Sequence, residues 1–201
     1  MDRKIILASS SPRRKELLQS VGIKFKIIAP LSDESLLGSE NPRDYVSRLA
    51  SEKAISVSEN CDGDFLVIGA DTIVVVEDEI LGKPLNPEDA SRMLNRISGR
   101  VHHVLTAFCV ASPKNTILHS EVVDTLVTVK TLEPDEIEGY IKTGEPIDKA
   151  GAYGIQGIGA FMVKRIEGSY TNVVGLPLVE VLEALKKLGA LKLFSGDGFR
   201  K

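Results

Sequence analysis

A few short stretches of the 201-residue chain place charged, hydroxyl and small residues where they can do chemistry. In Ile5-Ile6-Leu7-Ala8-Ser9-Ser10-Ser11-Pro12-Arg13-Arg14 an apolar run leads into three hydroxyls, a proline and two arginines. Ser11 suits a helix N-cap and Pro12 the first helical position, so backbone N–H groups and the positive end of a helix dipole meet two guanidinium groups. That combination binds anions, phosphate above all, with Arg13 or Arg14 clamping its oxygens bidentately and Ser9 and Ser11 lining the turn. The same residues also make an ordinary cap followed by two solvated arginines. Against that plain reading, cations in a first helical turn oppose the dipole.

The carboxylates lie elsewhere in the chain. Phe65-Leu66-Val67-Ile68-Gly69-Ala70-Asp71-Thr72 puts Asp71 where an apolar strand is expected to end, after two small residues that would let a ligand approach the backbone. Ligands of α/β sheets collect at strand ends. Asp33 and Glu34, after Pro30, add two acids; with Asp71 they can hold Mg²⁺ or Mn²⁺, cations that take carboxylate oxygens and bridge to phosphates. A turn aspartate and a solvated acidic loop are the plain alternatives. Lys53 follows Val46 and Leu49, and precedes Val57, at 3-4-4 helical spacing, which turns it inward. There it either snorkels out past its alkyl stem or meets a carboxylate or phosphate. Lys83, in Leu81-Gly82-Lys83-Pro84, sits in a tight turn that would fix its direction.

Asp148 to Gly159 carries four glycines, so the backbone bends closely around something. The spacing is not that of a dinucleotide fingerprint. Gln156 presents both a donor and an acceptor, as a nucleobase edge requires, while Tyr153 can stack on a base or fill core. Purely structural glycines are the alternative. Gly168-Ser169-Tyr170-Thr171-Asn172 repeats the pattern of small and hydroxyl residues. His102, His103 and His119 have no Cys or Glu at ligand spacing and read as structural. Neither a GxSxG elbow nor a GxxxxGK[ST] loop occurs.

The elements that must position these groups alternate. Strand-like runs fall at Ile5–Ala8, Phe25–Ala29, Phe65–Ala70, Ile73–Val76, Val101–Ala111, Thr116–Val129 and Ala160–Ile166. Helices are expected after Ser11-Pro12, Asn41-Pro42, Asn86-Pro87 and Glu133-Pro134, with a last one over about Leu178–Leu188. The run from Phe108 to Val129, broken by Ser112-Pro113-Lys114-Asn115, predicts an antiparallel hairpin and therefore a mixed sheet. Residues 1–201 are expected to form a single α/β domain of two lobes with a cleft between them, with 195–201 a frayed tail.

Composition agrees with an ordinary globular protein, at 43% hydrophobic and 26% charged residues. A formal net charge of −3 supplies no positive field for a nucleic-acid backbone. Cys61 and Cys109 form neither a disulfide framework nor a zinc site, and no apolar run reaches signal or membrane length. A reduced, cytoplasmic protein without membrane or nucleic-acid partners is expected.

Taken together, Ser9 to Arg14, Gly69-Ala70-Asp71-Thr72, Gly82-Lys83-Pro84, Asp148 to Gly157 and Ser169-Tyr170-Thr171-Asn172-Val173-Val174-Gly175-Leu176-Pro177 resemble the Maf family of nucleoside triphosphate pyrophosphatases, over about residues 4 to 188. The resemblance implies an α/β fold related to inosine triphosphate pyrophosphatases and hydrolysis of a nucleoside triphosphate to the monophosphate and pyrophosphate. It also implies a divalent metal and a homodimer. The family's catalytic acid carries over to Asp71 as the base for the attacking water, and Glu34, Lys53 and Lys83 match its further polar residues. Glu34 and Asp71 are the expected metal ligands. Family members acting on dTTP and UTP differ from those acting on 7-methyl-GTP at three positions, here Arg13, Thr72 and Gln156, which match the dTTP/UTP pattern. The competing reading is a nucleotide-sensing regulator of septum formation with little turnover, which would need the phosphate clamps but not Asp71 and Glu34.

Overall fold

The computed structural model describes residues 3–61 and 63–191. The strands are β1 (Lys4–Ala8), β2 (Phe25–Ile28), β3 (Phe65–Val76), β4 (Glu79–Leu81), β5 (Val101–Ser112), β6 (Thr116–Val129) and β7 (Val163–Glu167). The helices are α1 (Pro12–Ser20), α2 (Pro42–Ser58), α3 (Pro87–Ile97), α4 (Pro134–Lys142), α5 (Tyr170–Val174) and α6 (Leu178–Lys187). Short 3-10 turns cover Glu145–Asp148, Ala150–Ala152 and Ile158–Met162.

Helix starts follow the residue-plus-proline signals because proline needs no donor at the first position and the residue before it caps the next turn. The Asn41 side chain accepts from the Arg43 and Asp44 amides, each at 3.0 Å, and Asn86 accepts from the Asp89 amide at 2.8 Å. Glu133 and Glu136 close a capping box on α4. Ser11 is the exception. It occupies the N-cap position of α1, but its hydroxyl makes no cap hydrogen bond.

The seven strands form one sheet in the order β2-β1-β3-β5-β6-β7, with β4 paired to β3. β1 is parallel to both β2 and β3, whereas β4 and β7 run antiparallel to β3 and β6. The sheet is therefore mixed, as expected. β5 and β6 are neighbours joined by three residues, of which Lys114 and Asn115 take left-handed φ of 63° and 59°, so they form the expected hairpin.

One expectation is corrected at the centre of the sheet. β3 does not stop before Asp71 but runs unbroken from Phe65 to Val76, because Thr72 and Ile73 are β-branched residues that extend a strand readily. The strand that ends here is β1: its last pair in register is Ala8 with Gly69, so the Ser9-Ser10 turn leaves the sheet beside the Asp71 end of that pairing.

The chain divides into two compact units. Of the described residues, the first comprises those up to Asp71, Ala107–Val122 and those from Gly175 onward. Its core gathers Ile5, Leu7, Leu18, Leu66, Ile68, Phe108, Leu176, Val181 and Leu185. The second comprises Thr72–Thr106 and Val123–Val174, with a core of Val74, Leu81, Met93, Leu94, Ile97, Val127, Tyr140 and Met162. The expected frayed tail at 195–201 lies outside the described residues. Among the described residues no helix is long and apolar enough to cross a membrane. Cys61 and Cys109 are free thiols.

Candidate active site

Lys53 does not snorkel. Val46, Leu49 and Val57 of its stripe are at most 3% exposed and Lys53 itself is 7% exposed, so its ammonium stays within the protein and must be paired there. Its Nζ donates to Asp71 Oδ1 at 2.6 Å and to Glu34 Oε1 at 2.7 Å. One cation on α2 thus joins a carboxylate of β3 to one in the loop before α2.

Two further features of α2 set this geometry. Gly69 does not make room for a ligand, as its sequence position implied: a Cβ there would lie 2.4 Å from the Ala50 carbonyl oxygen and 2.5 Å from the Ala54 nitrogen. The space is filled by the backbone of α2, and this close approach brings Lys53 within hydrogen-bonding reach of Asp71. The same helix also anchors the loop carrying Glu34. Tyr45 donates its hydroxyl to the Glu34 carbonyl at 2.6 Å, and Arg48 donates to the Ser35 carbonyl at 3.0 Å while pairing with Glu40 at 2.7 Å. The Glu40 carboxylate holds the Arg48 guanidinium well above its usual pKa, and burial, reinforced by the charges of Asp71 and Glu34, pushes the Tyr45 phenol up. Tyr45 and Arg48 escaped the reading of the sequence, and Gly69 was noticed there but assigned to a ligand instead of to α2. For Gly69 the signal was there, a lone glycine in an apolar strand.

Ser9 is buried, and its Oγ accepts from the Ser11 amide at 3.1 Å and lies 3.5 Å from Arg14 Nη1. Arg14 also donates Nε–H to the Gly175 carbonyl at 2.7 Å. Burial lowers the Arg14 pKa and the neighbouring Arg13 lowers it further, while Asp71 and Glu34 act in the opposite sense; guanidinium remains charged throughout. Ser9, Arg14, Lys53, Asp71 and Glu34 therefore form one electrostatic group in the first unit. Arg13, half-buried, follows Pro12 in the first turn of α1, a turn that no side chain caps. Asp33 does not join them: its carboxylate caps its own turn, accepting from the Ser35 amide at 3.0 Å.

The other expected site residues belong to the second unit. The Thr72 hydroxyl lies 3.0 Å from that of Thr106, which donates to the Asn172 carbonyl at 2.9 Å. Buried Asn172 donates in turn to the Val104 carbonyl and to Thr125 Oγ1, which accounts for the hydroxyl-rich stretch before it. Gln156 and Lys83 are both exposed. Tyr153 fills core and does not offer a stacking face, since it is 5% exposed and packs edge-on against His102 with its hydroxyl 2.7 Å from His102 Nε2. Lys149 is committed to the Glu145 carbonyl and to Asp148, at 2.8 and 2.7 Å.

The three histidines have structural surroundings. Burial lowers the pKa of His102 to about 4, His103 pairs with Asp124, and His119 stacks on Phe108.

Against known families, a model described as Maf-like protein matches residues 4–188. The chain belongs to the Maf family. Three of the relatives named dTTP/UTP pyrophosphatase show the extent of the likeness. That of Geotalea uraniireducens is 54% identical over 94% of this chain and 96% of its own. Those of Syntrophus aciditrophicus and Geobacter sulfurreducens are 49% and 50% identical, over 98% and 94% of this chain and 95% and 98% of theirs. A solved nucleoside-triphosphatase / dITP/XTP pyrophosphatase from Mycobacterium abscessus aligns with 70% of this Maf chain and 95% of its own at 12% identity, with a TM-score of 0.39.

Among the described residues no group of three or more His, Cys, Asp and Glu side chains is placed to hold a metal ion. What the Maf chain offers is the pair Asp71 and Glu34, hard oxygen donors that share Lys53. A pair of carboxylates suits Mg²⁺ or Mn²⁺, which are commonly held by one or two carboxylates with substrate phosphates and water completing the shell.

Proposed function

We propose that this chain hydrolyses dTTP and UTP to the nucleoside monophosphate and pyrophosphate. The reading rests on the Lys53-centred pair of Asp71 and Glu34 in a chain about half identical, over nearly full length, to proteins named dTTP/UTP pyrophosphatase. A pure nucleotide sensor has no need to bury a lysine between two carboxylates.

Hydrolysis requires water to attack the α-phosphorus as the bond from that phosphorus to the α,β-bridging oxygen breaks, with pyrophosphate leaving. Asp71 orients and deprotonates that water. Lys53 holds Oδ1 at 2.6 Å, so the carboxylate presents Oδ2 to the nucleophile in a fixed direction. Ser9, Ser11, Arg13 and Arg14 at the start of α1 receive phosphate oxygens, with Lys83 contributing a further cation, because the charge on a triphosphate must be offset for water to approach. Glu34 and Asp71 would hold the divalent cation, which supplies charge neutralisation on the phosphates when bound. Thr72, Gln156 and Arg13 are assigned to substrate discrimination, Thr72 and Gln156 at the pyrimidine edge.

The test is pyrophosphate release from dTTP, UTP, CTP, dGTP, ATP and 7-methyl-GTP, with Mg²⁺ or Mn²⁺ and with EDTA, for wild type beside Asp71→Asn. Metal-dependent turnover of dTTP and UTP that the variant loses is the expected result. Nucleotide binding without turnover of any of the six would overturn the assignment in favour of a sensor.

A further inference from the structure

The loop that carries Gln156 is held after Gln156 by the Glu145 carboxylate and before it by a tyrosine hydrogen-bonded to that carboxylate. Glu145 Oε2 accepts from the Ile158 amide at 2.9 Å, and Oε1 accepts from the Gly159 amide, also at 2.9 Å. These two bonds fix the backbone just after Gln156. On its other side the Gly154 amide donates to the Tyr140 hydroxyl at 3.3 Å, and that hydroxyl donates to Glu145 Oε1 at 2.9 Å. The loop also fits closely around the carboxylate, since a Cβ at Gly157 would lie 2.7 Å from Glu145 Oε2 and its φ of 82° already demands glycine. Gly154 packs just as closely, with a hypothetical Cβ 2.7 Å from the Lys149 side chain, whose ammonium is fixed on the Glu145 carbonyl.

Three donors converge on this one carboxylate. Charge-assisted bonds of this kind are about twice as strong as neutral ones. Burial works to raise the Glu145 pKa, but the Gly159 and Ile158 amides and the Tyr140 hydroxyl outweigh it, so the side chain is ionised at neutral pH. Between the two anchored flanks lie Ile155, Gln156 and Gly157, and of these Gln156 carries the exposed polar side chain.

We propose that Glu145 is a positioning residue for base selection: through Ile158, Gly159 and Tyr140 it sets where the Gln156 amide meets the pyrimidine edge. The proposal rests on the reading above that Gln156 meets the base. Glu145 itself touches no reacting atom. Its loss therefore blurs the distinction between bases and leaves the chemistry intact.

Glu145→Gln is the informative change. Whichever way the amide is turned, its NH₂ faces a backbone N–H that the carboxylate accepted, so one anchor is lost at nearly constant shape. The experiment measures kcat and KM with UTP and with CTP, which differ at the 4-position of the base, for wild type, Glu145→Gln, Tyr140→Phe and Gln156→Ala. The expected result is a fall of about tenfold in the UTP-over-CTP ratio of kcat/KM for Glu145→Gln, carried by a higher KM for UTP with kcat within about twofold. Tyr140→Phe, which severs only the Gly154 side, gives a smaller fall in the same direction and keeps the test open if Glu145→Gln folds poorly. If Gln156→Ala lowers the ratio and neither Glu145→Gln nor Tyr140→Phe does, the proposal is wrong while the role of Gln156 stands. If Gln156→Ala leaves the ratio unchanged, the reading of Gln156 fails and the proposal fails with it. An equal loss of kcat on both nucleotides at constant ratio marks Glu145 as merely structural and also overturns the proposal.

Discussion

Replacing Gly69 with alanine tests the claim that backbone approach between α2 and β3 sets the Lys53–Asp71 pair proposed to act on substrate. The added Cβ would stand 2.4 Å from the Ala50 carbonyl oxygen and 2.5 Å from the Ala54 nitrogen, and neither is the end of a flexible side chain. Relieving both to an ordinary contact of about 3.4 Å moves α2 outward by about 1 Å, since a close-packed interior cannot absorb the strain locally. Lys53 rides on that helix. A shift of that size stretches its 2.6 Å bond to Asp71 beyond hydrogen-bond length. Overpacking of this kind costs about 1–3 kcal/mol, which for a chain of this size lowers Tm by about 2–12 °C. Turnover should fall more than stability does, by about 100-fold, as misplacement near 1 Å does elsewhere. Thermal melting and pyrophosphate release on the same preparation measure both. The control is Gly69→Ala combined with Ala54→Gly, which removes the side-chain contact at 2.9 Å but neither backbone contact. That double variant should recover nothing. Normal turnover in Gly69→Ala, or full recovery in the double variant, would refute the reasoning.

Four further outcomes are expected. Asp71→Asn should keep the wild-type melting curve within a few degrees and lose about 10²- to 10⁴-fold in kcat, the usual range for removing a general base, read by pyrophosphate release. Lys53→Met should abolish turnover and cost about 3 kcal/mol, because it leaves Asp71 without its cation in a site where that side chain is only 11% exposed; urea unfolding measures the cost. Asn41→Ala should lower stability by about 1 kcal/mol through loss of the α2 cap, visible as a drop of a few degrees in Tm with turnover near wild type. His102, depressed to about 4 in the fold and near 6.5 when unfolded, binds a proton in the unfolded chain first. Its contribution to stability is therefore fully present above pH 6.5 and is lost as the pH falls toward 4, by at most about 1.4 kcal/mol per pH unit. His102→Gln should flatten the stability profile in that window, measured by urea midpoints from pH 4 to 7.

Much of this was legible locally because the signals are local. Asn41-Pro42, Asn86-Pro87 and Glu133-Pro134 start helices through capping and fixed φ, which depend on two or three adjacent residues. The inward stripe of Val46, Leu49, Lys53 and Val57 follows from 3.6 residues per turn, and it was enough to place Lys53 on the buried face, though not to choose between snorkelling and pairing. The hairpin of β5 and β6 was announced by its turn. Of the acidic group named from the sequence, Asp71 and Glu34 come together and Asp33 does not.

Which partner Lys53 takes was decided only by the tertiary structure, because Asp71 and Glu34 are separated from it by 18 and 19 residues and sequence proximity carries no information about such pairings. The unbroken β3 was hidden for a related reason. A charged residue reads as a strand end when its counter-ion is invisible, and Asp71 sits inside β3 with Lys53 as its partner. Gly69 was taken as room for a ligand, though the room belongs to a helix, since a missing Cβ says that something approaches but not what. Tyr45 and Arg48 anchor the loop of Glu34 through its backbone carbonyls, contacts that no pattern of side-chain types encodes. Local capping, periodicity and charge are written along the chain; the distances that join a lysine and two carboxylates into one hydrogen-bonded group arise only when α2 packs on β3.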